Sequence, residues 1–213
     1  YVSNYQMQFL EWFSKYYHIS LPHAASIFIP QQPTRSVRKS KNHFIQLPSF
    51  SLQPDNQNDV HSGQSVCVAS DWNEYFSILK TICTTTVADL KQVLIITPSL
   101  HDAQIIHAFL DTLFPQNSVL VSGDTNKSTL ANSYNLLAEK MCHIAISTRM
   151  ALGWNIPSLD RIVLVDSESR DYKQYDKNPR YDVRAAAEYI AQSRDLSLTH
   201  LTTCPSSELM ERS

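Results

Sequence analysis

The residues with the clearest chemical potential follow a single apolar run. Ile162-Val163-Leu164-Val165 ends abruptly in Asp166 and Glu168, and an aromatic and basic stretch begins at once. In it Tyr172, Tyr175 and Tyr181 alternate with Lys173, Lys177, Arg180 and Arg184. Flat rings mixed with cations suit stacked bases and phosphates. An ordinary polar loop with tyrosines packed on its rim is the alternative reading. Asp166 has a second distinction: open parallel sheets hold their ligands just beyond the carboxyl ends of their strands, where this acid would stand. Ser147-Thr148-Arg149, at the end of another apolar run, offers hydroxyls and a guanidinium to a phosphate backbone. A helix N-cap with a solvated arginine explains that triplet nearly as well. Ser122-Gly123-Asp124 reads more simply as a turn.

Phosphoryl transfer would need a cradle after the first strand, built from glycines that let backbone N–H groups approach phosphate oxygens, plus a lysine and a hydroxyl. The chain has only three glycines, Gly63, Gly123 and Gly153, and none falls between Val66 and Asn73. The turn there reads Ala69-Ser70-Asp71-Trp72-Asn73, in which Asp71 repels phosphate and Trp72 fills its space. No G-x-S-x-G, H-E-x-x-H or G-x-G-x-x-G motif is present. His101 and His107 are six apart and do not share a helical face as metal ligands. The four cysteines, 67, 83, 142 and 204, form no C-x-x-C pair, and the first three sit in apolar patterns as buried free thiols. No catalytic residue and no metal site are assigned.

The elements that must position these residues alternate in type. Short strands are expected at Val66–Ala69, Val93–Ile96, Val119–Val121, His143–Ser147, Arg161–Asp166 and Leu198–Thr202. Helical stripes are expected over 72–83, from Ala103 to Leu113, over Leu130–Glu139 and over Ala185–Gln192. This rhythm predicts an α/β fold with a parallel sheet between two helix layers and right-handed crossovers. Ahead of it, Tyr5, Phe9, Leu10, Phe13, Tyr16 and Tyr17 mark one face of an amphipathic helix, and Pro22 opens a second short one. Such a pair buries little alone and must dock on something or belong to a larger domain. Between them lies a Pro-, Gln-, Ser- and Asn-rich stretch carrying Arg35, Arg38, Lys39 and Lys41, read as a solvated linker.

The division is thus residues 1–30 helical, 31–64 linker and 65–213 the α/β lobe. With 43% hydrophobic and 18% charged residues, 213 residues suffice for one such lobe with a small appendage. A net charge of −2 means that nucleic-acid binding must rest on local patches. No apolar run approaches the length of a membrane span, so a soluble, cytoplasmic protein is expected. A start at Tyr1 reads as a fragment or a processed chain.

The order of these pieces resembles the PriA family (primosomal protein N-prime), superfamily 2 DNA helicases of replication restart. Gln92-Val-Leu-Ile-Ile-Thr-Pro-Ser is similar to the family's QVLVLVPE, Val121-Ser122-Gly123 to its HSG, and Ile146 to Leu152 to its IGTRSAL. Ile162-Val-Leu-Val-Asp-Ser-Glu-Ser resembles IVVDEEH, Tyr172-Lys173-Gln174 resembles YKQ, and Pro179 to Arg184 resembles PRYHAR. Thr202 to Ser206 is similar to SATPS, and Trp12 to Pro30 to the segment that joins the fork-end-binding domain to a winged helix. The resemblance implies a RecA-like helicase lobe, the first of two, preceded by a helical remnant of that junction.

The departures fall on the ATP side. Val66 to Glu74 replaces GVTGSGKTE, and in the acidic box Ser167 stands for the water-positioning glutamate and Ser169 for the histidine. Asp166 and Glu168 remain as a nucleotide and metal remnant. The family uses ATP and Mg²⁺, but losing cradle, lysine and base together should abolish phosphoryl transfer, so no cofactor is expected. The DNA side is better kept. The resemblance implies that Arg149, Tyr172, Lys173, Gln174, Tyr175, Arg180, Tyr181 and Arg184 contact single-stranded or forked DNA, with primosome proteins as further partners. Two other readings stay open: an active 3′–5′ helicase fragment completed by missing parts, and a non-enzymatic protein-interaction module.

Overall fold

The computed structural model describes residues 2–30 and 63–212. The basic cluster Arg35, Arg38, Lys39 and Lys41, and all of the expected linker except Gly63 and Gln64, lie outside the described residues. In chain order the helices are α1 (Asn4–Tyr16), α2 (Leu21–Phe28), α3 (Trp72–Ala88), α4 (Leu100–Leu113), α5 (Lys127–Ala138), α6 (Val183–Arg194) and α7 (Ser207–Arg212). The strands are β1 (Gln64–Val68), β2 (Gln92–Ile96), β3 (Ser118–Val121), β4 (Ile144–Ser147), β5 (Leu159–Val165) and β6 (Ser197–Thr202). They form one parallel sheet in the order β1-β6-β5-β2-β4-β3.

The order fixes the layers. From β1 to β2 to β3 the chain moves in one direction across the sheet, and from β3 back to β6 in the other. Right-handed crossovers therefore place α3 and α4 on one face and α5 and α6 on the opposite one. The packing agrees. Val93 and Ile95 of β2 join Leu79 and Cys83 of α3 and Ile106 and Leu110 of α4. Leu94 and Ile96, one residue out of phase, join Leu137 of α5 and Ala186, Ala187 and Ile190 of α6. All five residues of β2 are buried, as a central strand covered on both faces requires.

The N-terminal helices belong to the second layer. Ser3 and Gln6 form a capping box that starts α1, and Pro22 sits in the first turn of α2. Phe9, Phe13 and Phe28 are buried and meet edge-on or tilted at centroid distances of 4.9–5.8 Å, and Phe13 reaches Tyr181 at 5.1 Å. Burying each such ring contributes about 1.5–3 kcal/mol. Gln6, also buried, donates its Nε2–H to the Gly153 carbonyl at 2.8 Å. That carbonyl closes the 3-10 turn Met150–Gly153, where α2 comes so near that a Cβ on Gly153 would collide with Phe28 Cβ and stand 2.8 Å from its Cγ. The pair thus docks on the face that carries α6.

Element boundaries moved where caps decide them. Asn126 accepts the Thr129 N–H at 2.8 Å, so α5 starts at Lys127, ahead of its apolar stripe. Asp182 accepts the Arg184 N–H at 2.9 Å and starts α6 at Val183. The six-residue α7 has no apolar periodicity long enough to announce it. Cys83 and Cys142 are buried thiols, Cys67 is half-buried and Cys204 exposed.

Candidate nucleic-acid groove and the β1–α3 turn

Because the chain reverses direction in the sheet, the connections leaving β2 and β5 go to opposite faces, and a crevice opens between the carboxyl ends of these adjacent strands. Asp166 ends β5 there with φ 50°, a left-handed conformation that an aspartate tolerates better than most residues. The crevice is occupied by the chain itself. Tyr172, 1% exposed, places its hydroxyl 2.8 Å from the Ile96 carbonyl of β2 and 2.6 Å from the Val165 carbonyl of β5. Its one proton is shared between two strand ends. Burial pushes this phenol well above its ordinary range, with the Asp166 charge adding to the effect.

Beside it a cavity of about 290 Å³ is bordered by Asp71, Trp72, Tyr75, Pro98, Asp102 and Asp166. Burial raises the Asp166 carboxyl above the usual carboxylate range, and the charges of Asp102, Glu168 and Asp171 raise it further. Desolvation likewise pushes Tyr75 up to about 12, helped by Asp166. Among the described residues no lysine or arginine borders this cavity. At the β1–α3 turn, three donors that a phosphate could use are taken by side-chain carboxylates. Glu74 accepts the Ser70 N–H at 2.7 Å and the Ser70 hydroxyl at 2.8 Å, and Asp71 accepts the Glu74 N–H at 3.0 Å. Those two bonds from Ser70 hold the Glu74 carboxyl below its usual range. The turn carries its own anions. Such a donor set does not fit a triphosphate, and three carboxylates border the cavity where its charge would lie.

The residues expected at nucleic acid divide into three groups. Tyr172 and Tyr181 are core residues, each 1% exposed, and their rings present no face to a base; this corrects the expectation that they stack. An aromatic beside cations in sequence does not reveal which rings turn inward, and here the sheet end and α1 claim them. Burial pushes Tyr181 up to about 12 against the charge and side-chain hydrogen bonding of Arg149, a contact that falls short of a well-formed bond.

Gln174 and Arg184 hold the loop in shape. Gln174 donates its backbone N–H to the Tyr181 carbonyl at 2.9 Å and its side-chain amide to the Lys177 and Pro179 carbonyls, and it accepts from Arg149 at 2.8 Å. Arg184 grips Asp182 bidentately at 3.0 and 2.8 Å and donates to the Ser167 carbonyl at 3.2 Å. Burial pushes Asp182 up, but the hydrogen bonds and charge of Arg184 outweigh it and leave the carboxyl below its usual range.

The third group is outward-facing. Lys173, Tyr175 and Arg180 are exposed, Tyr175 at 59%, and Lys173 Nζ lies 5.6 Å from the Tyr175 ring centroid. Lys173 and Tyr175 border a groove of about 490 Å³ together with Arg149, Thr148, Ser122 and Gly123. The ends of β3 and β4 and the 173–182 loop, closed by the Lys173–Asp182 bridge, form its walls. Asp124, Asp171 and Asp176 also border it, so its field is nearly balanced. Glu168, the second acid of the remnant, is exposed and accepts the Ser206 N–H at 3.2 Å ahead of α7. Sequence reasoning gave no functional role to Asp102 or Tyr75 at the cavity; only their places in the first turn of α4 and along α3 could have pointed to them.

No family model and no curated protein sequence matches the chain. Solved structures do. The C-terminal domain of Dbp5 from S. cerevisiae matches with a TM-score of 0.51 at 14% identity, over 70% of this chain and 79% of that one. Another structure of the C-terminal domain of the DEAD-box protein Dbp5 gives 0.48 at 11% identity, over the same shares. The helicase domain of Pyrococcus furiosus Hef gives 0.46 at 14%, over 65% of this chain and 28% of that one. At these identities the likeness is one of fold. Six parallel strands between two helix layers, with the order given above, make this chain a RecA-like α/β lobe of the kind found in helicases.

Proposed function

We propose that this chain is a PriA-like, helicase-related lobe of replication restart that binds single-stranded or forked DNA and no longer hydrolyses ATP. One observation carries the reading: the Glu74 and Asp71 carboxylates already occupy the Ser70 N–H, the Ser70 hydroxyl and the Glu74 N–H of the turn where a nucleotide's phosphates would have to sit. Asp166 and Glu168 would be the metal-holding acids in an active member, yet among the described residues no lysine or arginine borders the Asp166 cavity to meet a nucleotide's charge. DNA contact falls to Arg149, Lys173 and Tyr175 in the carboxyl-edge groove, with Arg180 at the loop's outer rim. The assignment as a first motor lobe rests on the order of motifs in the sequence.

Binding through two cations and one ring is weak and only mildly salt-dependent. A single strand that loses about two counterions gives a slope of about −1.4 in log affinity against log salt. Titrating a labelled single-stranded or forked oligonucleotide at several salt concentrations measures it, and Tyr175→Ala should weaken binding about tenfold. DNA-stimulated phosphate release that Asp166→Ala abolishes would overturn the reading in favour of an active helicase fragment. The near balance of charge in the groove favours a second reading, a protein-docking module; no oligonucleotide binding even at low salt would leave that one standing.

A further inference from the structure

Lys173 borders a second groove as well as the first. This one, about 520 Å³, lies between the C-terminal end of α1, the 173–184 loop and the start of α7. Its α1 side is aromatic. Trp12 lies flat on Tyr189 with centroids 4.1 Å apart and planes 7° apart, and Tyr16 stacks on Trp12 at 5.1 Å and 25°. Tyr16, 58% exposed, is the outer end of this column and borders the groove. Tyr17 beside it accepts the Asp182 N–H at 3.2 Å and ties α1 to the loop.

Ser167 also borders the groove, and it is 2% exposed with a hydroxyl that bonds no described group. Buried polar atoms are nearly always paired, so an orphaned hydroxyl at a groove points to an incoming polar group. Charges in the groove nearly cancel: Lys173, Arg180 and Arg184 face Glu168, Asp182, Glu188 and Glu208. Asp182 is moreover engaged by Arg184, and Glu168 by the Ser206 N–H. A run of phosphates is disfavoured there. A flat, uncharged ring with one phosphate is not.

Resting on the nucleic-acid reading above, we propose that this groove receives one nucleobase of the strand held in the first groove. The base stacks on Tyr16 as the next member of the Tyr189–Trp12–Tyr16 column. The phosphate joining the two nucleotides lies at Lys173, with Arg180 beside it, and the Ser167 hydroxyl bonds a polar edge of the base.

The test compares single-stranded oligothymidylate binding by the full chain and by Tyr16→Ala, Tyr16→Phe and Tyr175→Ala, with photocrosslinking of an iodouracil-bearing oligonucleotide to the unmodified chain. The expected result is a loss of about tenfold for Tyr16→Ala, near-full binding for Tyr16→Phe, and a crosslink on the peptide that carries Tyr16. Because Tyr16 is exposed, the alanine variant should melt close to the parent, and the crosslink needs no variant. Unchanged affinity in Tyr16→Ala with no crosslink on α1, while Tyr175→Ala is impaired, overturns this second groove and leaves the first standing. Absence of binding by the unmodified chain overturns both.

Discussion

Replacing Tyr172 by phenylalanine separates two roles that one residue could have. The ring is kept, so a stacking tyrosine would lose little affinity for DNA. The hydroxyl is lost, so a tyrosine that latches two strand ends would lose stability. In the structure the hydroxyl lies 2.8 Å from the Ile96 carbonyl and 2.6 Å from the Val165 carbonyl, inside a fully buried site. Removing it deprives both carbonyls of that donor, at a cost of about 1–3 kcal/mol. For a chain of this length each kcal/mol moves the melting midpoint by about 2–4 °C, so a mid-range loss of about 2 kcal/mol lowers Tm by about 4–8 °C. Tyr181→Phe is the matched control. It removes an equally buried hydroxyl whose contact with Arg149 falls short of a well-formed bond, so Tm should fall much less than for Tyr172→Phe. Circular dichroism melts of the three proteins give the answer. A Tyr172→Phe midpoint within a degree of the parent, or a drop matched by Tyr181→Phe, would refute the latch.

Gly153→Ala should cost about 1–3 kcal/mol, because the new methyl meets Phe28 at the base of its side chain, where rotation offers no escape; urea melts with an unchanged m-value check it. Asp71→Ala removes the N-cap of α3 and should cost about 1 kcal/mol, read by the same melts. Asp166 has a folded-state carboxyl raised above its unfolded value, so the folded protein loses stability as pH rises from the ordinary carboxylate range through that raised value. Asp166→Asn should therefore raise Tm at neutral pH and leave it unchanged below that range. Asp182 runs the other way: its carboxyl is depressed, so its contribution is present above the ordinary range and lost as pH falls through the depressed value. Asp182→Asn should accordingly lower Tm at neutral pH and have a vanishing effect in strong acid. Mg·ATP should leave Tm unchanged, since a ligand that does not bind the native state cannot stabilise it.

Much of the lobe was legible because its signals are local. Short apolar runs rich in Val and Ile, such as Val93–Ile96 and Ile162–Val165, read as strands covered on both faces, and their alternation with helical stripes implies crossovers on both sides. The missing glycines of the β1–α3 turn were equally plain, though not that Glu74 folds back onto Ser70 in their place. What stayed hidden depends on pairs far apart in the chain. Tyr172, Tyr175 and Tyr181 look alike in sequence, yet one anchors in the crevice, one faces water and one meets Phe13 of α1. The partner of α1 was hidden for the same reason: Gln6 finds Gly153, and Trp12 finds Tyr189, only once the sheet has brought α6 and the 3-10 turn together.

Shared packing of α1 and α2 with α6 has a practical result for anyone dissecting this chain. The low-complexity stretch before β1 invites a cut that would express residues 63–213 as an independent unit. Such a product would bare Trp154, Tyr181 and Ala186, which are buried in one cluster with Phe9, Phe13 and Phe28. Inclusion bodies or a chaperone-bound fraction would be the expected yield, and adding residues 1–30 back as a separate peptide should recover monodisperse material.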